Sequence, residues 1–173
     1  MRILQINTTV NSGSTGRIAE DIGKTLISAG HESYIAFGRG RQKSKSNLIK
    51  IGGKLDFYLH VIRSLFTDRH GFGSKRATRK FLKQVDVIKP DAIGLHNIHG
   101  YYLNIEILFE YIKDKNIPIL WTFHDCWPFT GHCSYNTDCD NCKNCQRKYP
   151  KSIFLNQSSR NYNDKKIIFN QVK

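Results

Sequence analysis

The order of the predicted elements at the N-terminus is the strongest constraint on the fold of this chain. Residues 1–6 are rich in Ile and Leu and predict a strand, and a polar, glycine-containing segment follows at 7–16. Apolar residues then recur at helical spacing over 17–29, Gly30 stands where helices commonly end, and 32–37 predict a second strand. A strand, a helix and a second strand in this order favour a parallel sheet.

The same alternation of strands and helices continues along the chain. The further predicted elements are a short strand near 48–51, a helix at 55–67, a helix capped by Ser74 that ends before Pro90, strand 91–95, helix 105–115, strand 118–123, and a helix or strand at 165–172. We therefore predict an α/β domain over 1–150, which ends in a Cys-rich loop at 126–150, and a tail at 151–173.

Polar side chains gather after two of the predicted strands. His96, Asn97, His99 and Tyr101 follow one strand, and His124 and Asp125 follow the next. In open α/β sheets, ligands bind outside the carboxyl ends of the strands, so this pattern predicts a ligand site. Neutral imidazole can exchange hydrogen bonds with hydroxyls and phosphates, and a carboxylate can orient a histidine. The sequence carries no G-x-S-x-G motif, and a buried thiol is a simpler interpretation of Cys126 than a nucleophile.

The glycine-containing segment is a candidate phosphate site. Its candidate residues are Gly13, Ser14, Thr15, Gly16 and Arg17. Glycines let backbone N–H groups approach a phosphate, and the N-terminus of the following helix favours negative charge. The spacing matches neither G-x-G-x-x-G nor a Walker A loop, so it specifies no particular nucleotide. An ordinary strand-to-helix turn with Ser or Thr capping is the alternative.

Four closely spaced cysteines predict a metal site. They are Cys133, Cys139, Cys142 and Cys145. Four thiolates within 13 residues suit tetrahedral zinc, which would have a structural role. Iron–sulfur binding fits less well because the usual following Cys-Pro is missing, and His132 is a spare ligand. Free thiols or disulfides are the alternative.

Positive charge is concentrated in one part of the chain. The net charge is +13, and the window 39–83 holds 13 Lys and Arg against two acids. This excess implies an anionic partner, and an anionic membrane surface is the preferred one, with Arg39, Arg41, Lys43 and Lys45 as headgroup contacts. Aromatic residues in the same window have helical spacing, and we expect most of them to face the core. No secretory signal or spanning segment is visible, so we expect a cytoplasmic protein, peripheral at the inner membrane face.

Several motifs together resemble a known family. They are MRILQIN with NSGSTGRIA, RHGFGSKRATRKF, KPDAIGLHNIHGYYLN, and WTFHDCWPFTGHCSY followed by the cysteines and YPKS. With these segments the chain resembles the N-terminal half of bacterial GT-B glycosyltransferases of family 4, of the kind found in capsule, exopolysaccharide and O-antigen clusters. The resemblance covers nearly the whole chain, and it implies a Rossmann-like, mostly parallel sheet flanked by helices.

The resemblance also implies an activity and roles for the site residues. Such enzymes transfer a sugar from a nucleotide-sugar donor to an acceptor, often a lipid-linked glycan, and need no metal for catalysis. His124 and Asp125 would then act at the transferred sugar, and residues 13–17 would approach the donor diphosphate. The acceptor would be held by His96, Asn97, His99 and Tyr101.

The family pattern includes a second domain that binds the nucleotide. We expect that domain to follow residue 173 or to be encoded separately, and this chain to be inactive without it. The alternatives are a non-catalytic remnant, a peripheral membrane adaptor, or a basic zinc-containing nucleic-acid-binding protein. Nucleic acid is not the expected partner, because the basic window lies far from the cysteines in sequence.

Overall fold

Over the residues that the structure describes, the fold is built on one sheet of five parallel strands. The computed structural model describes residues 1–135 and 152–172. The strands are β1 (Arg2–Asn7), β2 (Glu32–Phe37), β3 (Asn47–Lys50), β4 (Ala92–Leu95) and β5 (Ile119–Trp121). Their order in the sheet is β3-β2-β1-β4-β5, and every neighbouring pair is parallel. The predicted α/β fold with a Rossmann-like parallel sheet flanked by helices is confirmed.

Helices connect the strands and cover the sheet. They are α1 (Gly13–Ser28), α2 (Lys54–Thr67), α3 (Lys75–Ile88), α4 (Ile105–Lys115) and α5 (Ser158–Phe169), and a short 3-10 helix spans Trp127–Phe129. In the described part of the chain, no helix has the length and apolar content needed to cross a bilayer. The main core includes Leu4, Ile93, Phe81 and Phe109, so it joins β1 and β4 to α3 and α4.

Helix α1 begins earlier and packs differently from the prediction. It starts at Gly13 rather than at 17, so the predicted phosphate loop is the first turn of the helix. Its buried residues are Gly16, Ala19, Glu20 and Gly23, whereas the isoleucines of the predicted apolar face are partly exposed. A Cβ on Gly23 would lie 2.4 Å from Oγ of Ser46, so only glycine permits this close approach. Small residues therefore bring α1 close to the sheet.

Helix α2 exposes its apolar side chains and buries polar ones. We expected most aromatic residues of the basic window to face the core; Phe72 is buried, but for Tyr58 and Phe66 of α2 the prediction is wrong. Five apolar and aromatic residues of α2 are between 51% and 72% exposed: Leu55, Tyr58, Leu59, Ile62 and Phe66. The buried residues of α2 are the polar His60 and Ser64.

The inward side of α2 is held by hydrogen bonds of His60. Nε2 of His60 accepts a hydrogen bond of 3.2 Å from the backbone N–H of Gly73, so Nδ1 carries the proton and donates to Oγ of Ser74 at 2.8 Å. Helix α3 begins directly after Ser74, as predicted. The predicted capping by the Ser74 hydroxyl is wrong, because this hydroxyl bonds to His60 and makes no capping hydrogen bond. Burial, with a smaller effect of Arg63, lowers the pKa of His60 to about 4.

Two elements at the C-terminal side differ in length from the prediction. Strand β5 has three residues instead of six, and α5 begins at Ser158, seven residues before the predicted element. The ring of Phe169 lies 4.8 Å from the rings of both Phe109 and Trp121, so α5 packs against α4 and β5.

Candidate functional site

The carboxyl ends of β1, β4 and β5 form one edge of the sheet. Because these three strands are adjacent and parallel, the residues that follow them are brought together. The hydroxyl of Thr8, after β1, lies 3.0 Å from the carbonyl oxygen of Asn97 and 2.8 Å from that of His99. The side chain of Asn7 accepts from the N–H of Asn97 at 3.2 Å and donates to the carbonyl of Thr9 at 3.0 Å. These contacts join the predicted phosphate segment to the segment after β4.

The histidines after β4 and β5 contact each other. Nδ1 of His96 lies 3.0 Å from Nε2 of His124, and Nε2 of His96 lies 3.0 Å from Oε1 of Gln5. His96 is buried, whereas His124 is partly exposed. Burial, and to a smaller extent the neighbouring His124, lower the pKa of His96 to about 4, so His96 is neutral at pH 7.

A second pair lies beside the first. Nε2 of His99 is 2.6 Å from Oδ2 of Asp125, and Oδ1 of the same carboxylate accepts from the N–H of Trp127 at 2.9 Å. Burial raises the pKa of Asp125, but the hydrogen bonds and charge of His99 outweigh it, so this pKa lies below its ordinary value. Asp125 is therefore a carboxylate at neutral pH and fixes the orientation of the His99 ring.

A layer of buried groups supports the loop after β5. The indole Nε1 of Trp127 donates to Nδ1 of His70 at 3.1 Å, and Nζ of Lys165 donates to the backbone carbonyl of Trp127 at 2.6 Å. Burial is the main cause that lowers the pKa of His70 well below its ordinary value. Burial also lowers the pKa of Lys165 to about 7, although Asp125 and Asp68 act in the opposite direction.

The predicted phosphate residues lie at the N-terminus of α1. Gly13 has φ of 67° and is exposed together with Ser14, whereas Gly16 is buried against Thr9 and Asn11. The side-chain amide of Asn7 contacts Oγ1 of Thr15 at 3.4 Å. Arg17, the first residue of the predicted helix, is exposed in the second turn of α1 instead.

Tyr101 packs in the buried layer around His70, away from the His96–His124 contact. Its side chain is buried, and its ring lies 4.5 Å from the ring of His70 and 5.6 Å from that of His60. Its predicted role in acceptor binding would therefore be indirect, through the support of this layer.

The predicted cysteine ligands are only partly described. Cys139, Cys142 and Cys145 lie outside the described residues, and Cys133 is buried and disulfide-bonded. A disulfide sulfur is not a thiolate, so zinc and this disulfide exclude each other at Cys133. Zinc binding stays a prediction, which metal analysis of the reduced protein would test. Nδ1 of His132, the spare ligand, lies 2.7 Å from Oδ1 of Asp68.

Comparison with known proteins adds one relative. The chain is 24% identical over 162 residues to a protein of Escherichia coli (strain K12) described as "Putative colanic acid biosynthesis glycosyl transferase WcaC". The chain is similar to a glycosyltransferase. The match covers 87% of this chain and 40% of the relative, so the chain spans less than half of the relative's length. No protein-family model and no solved structure matches it at a significant level.

Three supporting residues of the site were missed by the sequence reasoning. Gln5 lies within a strand and His70 within a loop. Neither is part of a sequence motif that would indicate a functional site. Lys165 was placed in a predicted element, but a lysine is normally exposed, so its burial had no signal in the sequence. All three are recognised only through their contacts with the residues after β4 and β5.

Proposed function

We propose that this chain is the acceptor-side part of a glycosyltransferase of surface polysaccharide biosynthesis. In this proposal, a sugar passes from a nucleotide-sugar donor to a lipid-linked or polysaccharide acceptor. The observation that carries it is the similarity to the colanic acid glycosyltransferase over most of the chain. The polar cluster at the carboxyl edge of the sheet supports it, because this edge is where α/β sheets bind ligands.

We assign the sugar-facing roles to the two strand-end pairs. His124 and Asp125 would act at the transferred sugar, and His96, Asn97, His99 and Tyr101 would hold the acceptor or support its binding. The support for this is geometric: the His96–His124 and His99–Asp125 contacts of 3.0 and 2.6 Å put fixed donors and acceptors along one edge. Fixed polar groups in such a site stabilise developing charge without reorganisation.

We assign the diphosphate to the N-terminus of α1. The N–H groups of Gly13, Ser14 and Thr15 belong to its first turn, where backbone donors have no partner within the helix. Gly16 lets the helix pack against Thr9, and Arg17 supplies a positive charge one turn further on. A helix N-terminus of this kind favours a phosphate group.

We propose further that turnover requires a donor-binding domain. The resemblance to GT-B enzymes of family 4 and the 40% coverage of the relative support this. That domain would come from the same polypeptide or from a separately encoded half. Purified chain, given a panel of nucleotide sugars and lipid-diphosphate saccharides, is expected to show no sugar transfer. Transfer by the chain alone would overturn this part of the proposal.

Acceptor binding tests the proposal without turnover. The chain is expected to bind some members of a panel of lipid-diphosphate-linked saccharides, and His124→Ala or Asp125→Asn should weaken that binding at least about tenfold. His31→Ala is the matched control, because His31 lies before β2, at the opposite edge of the sheet. Absence of binding to the whole panel, or equal weakening by the control, would contradict the proposal.

We also propose that α2 rests on an anionic membrane. Its exposed apolar face continues onto 153–155, because the ring of Phe154 stacks on that of Phe66 at 5.1 Å and the N–H of Ile153 donates to the carbonyl of Leu65 at 2.9 Å. A cavity of about 510 Å³ opens beside Leu55. Its cationic lining residues are Lys50, Arg76 and Lys80. Apolar side chains next to cationic ones fit the acyl boundary and anionic headgroups of a bilayer.

Vesicle flotation tests this membrane contact. The chain is expected to float with vesicles that contain phosphatidylglycerol and to stay behind with purely zwitterionic ones. Leu59→Ser with Ile62→Ser should abolish flotation, whereas Leu120→Ser is the matched control, since Leu120 is an exposed leucine on β5. Loss of flotation in the control as well, or binding that ignores the α2 substitutions, would refute the α2 assignment. Concentration-dependent dimerisation through α2 would instead make this face a protein interface.

A further inference from the structure

Gln5 lies in the middle of β1 and has both ends of its side-chain amide engaged. It is 1% exposed, and its neighbours include Gly23 and Gly94, at which a Cβ would lie 3.6 and 3.5 Å from its side chain. A buried amide so closely surrounded cannot turn freely. The direction of its hydrogen bonds is therefore a fixed property of the fold.

The partner on α1 decides which way the amide points. Nε2 of Gln5 lies 2.9 Å from the backbone carbonyl oxygen of Ala19. A carbonyl oxygen can only accept, so the NH₂ end of the amide must face Ala19. The carbonyl end, Oε1, then faces Nε2 of His96 at 3.0 Å, and Oε1 is only an acceptor.

The orientation of the Gln5 amide determines the direction of the hydrogen bonds made by His96 and His124. His96 must carry its proton on Nε2 to donate to Gln5, and a neutral imidazole has only one N–H. Nδ1 of His96 is then an acceptor, so Nε2 of His124, 3.0 Å away, must carry the proton that it donates. In its neutral form, His124 therefore has a lone pair on Nδ1, the ring nitrogen outside this chain of hydrogen bonds.

We propose that Gln5 is a positioning residue that fixes the tautomer of His124, two hydrogen bonds away, so that Nδ1 is an acceptor toward the ligand. A ligand group at this nitrogen must bring its own hydrogen, as a hydroxyl does. A phosphate or carbonyl oxygen meets a lone pair there and is disfavoured. Because we propose that the ligand is a glycan, the group selected is a sugar hydroxyl; this last step rests on the proposed function.

Nuclear magnetic resonance of the ring nitrogens tests the relay on the chain alone. With ¹⁵N-labelled histidine at pH 8, two-bond ¹⁵N–¹H correlations identify the protonated nitrogen of each ring, and removal of one histidine at a time assigns them. We expect both His96 and His124 as Nε2–H tautomers. For His124, the Nε2–H tautomer should exceed the Nδ1–H tautomer roughly tenfold or more, because the Nδ1–H tautomer would place the lone pair on its Nε2 against the lone pair on Nδ1 of His96. A majority of Nδ1–H on His124 would overturn the proposal; the tautomers are read from the unmodified chain, and the variants that each lack one histidine serve only to assign its signals.

Variants at Gln5 separate positioning from mere packing. Gln5→Glu keeps an acceptor toward His96, so the tautomer of His124 is retained, at lower stability because the carboxylate cannot donate to Ala19. Gln5→Met removes the acceptor that faces His96. The ratio of the Nε2–H to the Nδ1–H tautomer of His124 should then fall to about threefold or less. Gln84→Met, on the exposed side of α3, is the control and should change nothing. An unchanged His124 tautomer in folded Gln5→Met would refute the role of Gln5, whatever the outcome for acceptor binding.

Discussion

Nζ of Lys165 donates a hydrogen bond of 2.6 Å to the backbone carbonyl of Trp127 and lies 4.1 Å from the centre of its indole ring. The lysine belongs to α5 and is 1% exposed. Its pKa is lowered to about 7 by burial. Helix α5 and the loop after β5 are thus joined by a buried amine that changes charge near neutral pH.

This amine predicts a rise of stability with pH. The unfolded chain keeps the lysine protonated up to its ordinary pKa of about 10.4, whereas the folded chain releases the proton above about 7. Between these values the unfolded state binds more protons, so the free energy of unfolding should rise by roughly 1.4 kcal/mol per pH unit. Urea denaturation between pH 7.5 and 9.5 measures this slope.

Lys165→Met should remove that slope, because methionine has a similar length and no proton to release. Lys166→Met is the matched control, since the next residue is exposed, and it should leave the slope intact. A slope that persists in Lys165→Met would mean that another group titrates.

The His99–Asp125 pair predicts a dependence on pH of the same sign, but at acidic pH. The pKa of Asp125 lies below its ordinary value, so its carboxylate stabilises the fold above about pH 4, and that contribution is lost as pH falls through the folded pKa. At pH 7, Asp125→Asn should lower the free energy of unfolding by about 1–3 kcal/mol. The difference from the unmodified chain should shrink at pH 3. Asp114→Asn, on the exposed side of α4, should be neutral, and an equal loss there would discredit the interpretation.

The contact between Gly73 and His60 predicts a steric effect. A Cβ on Gly73 would lie 2.3 Å from Cδ2 of the His60 ring, which its hydrogen bonds to Ser74 and Gly73 hold in place. Gly73→Ala should therefore lower the free energy of unfolding by about 1–3 kcal/mol. Gly94→Ala, where the nearest atom is 3.5 Å away, should have a much smaller effect by the same denaturation measurement. Equal effects of the two substitutions would show that His60 moves away freely.

The exposed face of α2 predicts unusual tolerance of polar substitution. Leu59→Ser and Ile62→Ser should each change the free energy of unfolding by no more than about 0.5 kcal/mol, because both side chains are already in water. Leu108→Ala, on the buried face of α4, should lower the free energy of unfolding by about 2–5 kcal/mol. A large loss at Leu59 or Ile62 would mean that this face packs against the domain.

The sequence predicted elements well where local chemistry and burial agree. Helix α4 has the predicted bounds, because Asn104 caps it by accepting from the N–H of Ile107 at 3.0 Å and its apolar residues face the core. Helices α1 and α2 show where the reasoning failed. Apolar spacing indicates that a helix has an apolar face, but it does not state whether that face meets the core, as Ile62 shows. In α1, glycine at 16 and 23 determines the packing, and glycine carries no apolar signal.

The site was predictable to the extent that parallel strands bring their carboxyl ends together. The prediction that His96, His99, His124 and Asp125 lie at the ends of adjacent strands is confirmed by the fold, whereas their chemical roles stay predictions. Their partners could not be predicted, because Gln5 is 91 residues from His96 in sequence and only the register of β1 with β4 brings them together.

The position of β1 in the sheet has a consequence for synthesis on the ribosome. This strand is synthesised before the other four strands of the sheet and pairs with β2 on one side, but on the other side its partner is β4, in which Ala92 is opposite Ile3. At about 5–20 residues per second, roughly 3–11 s separate the completion of β2 from the start of β4. During that interval the nascent sheet exposes the apolar, unpaired edge of its future central strand, the kind of edge on which foreign strands add. Protection by a chaperone would therefore matter most before residue 95 has left the ribosome.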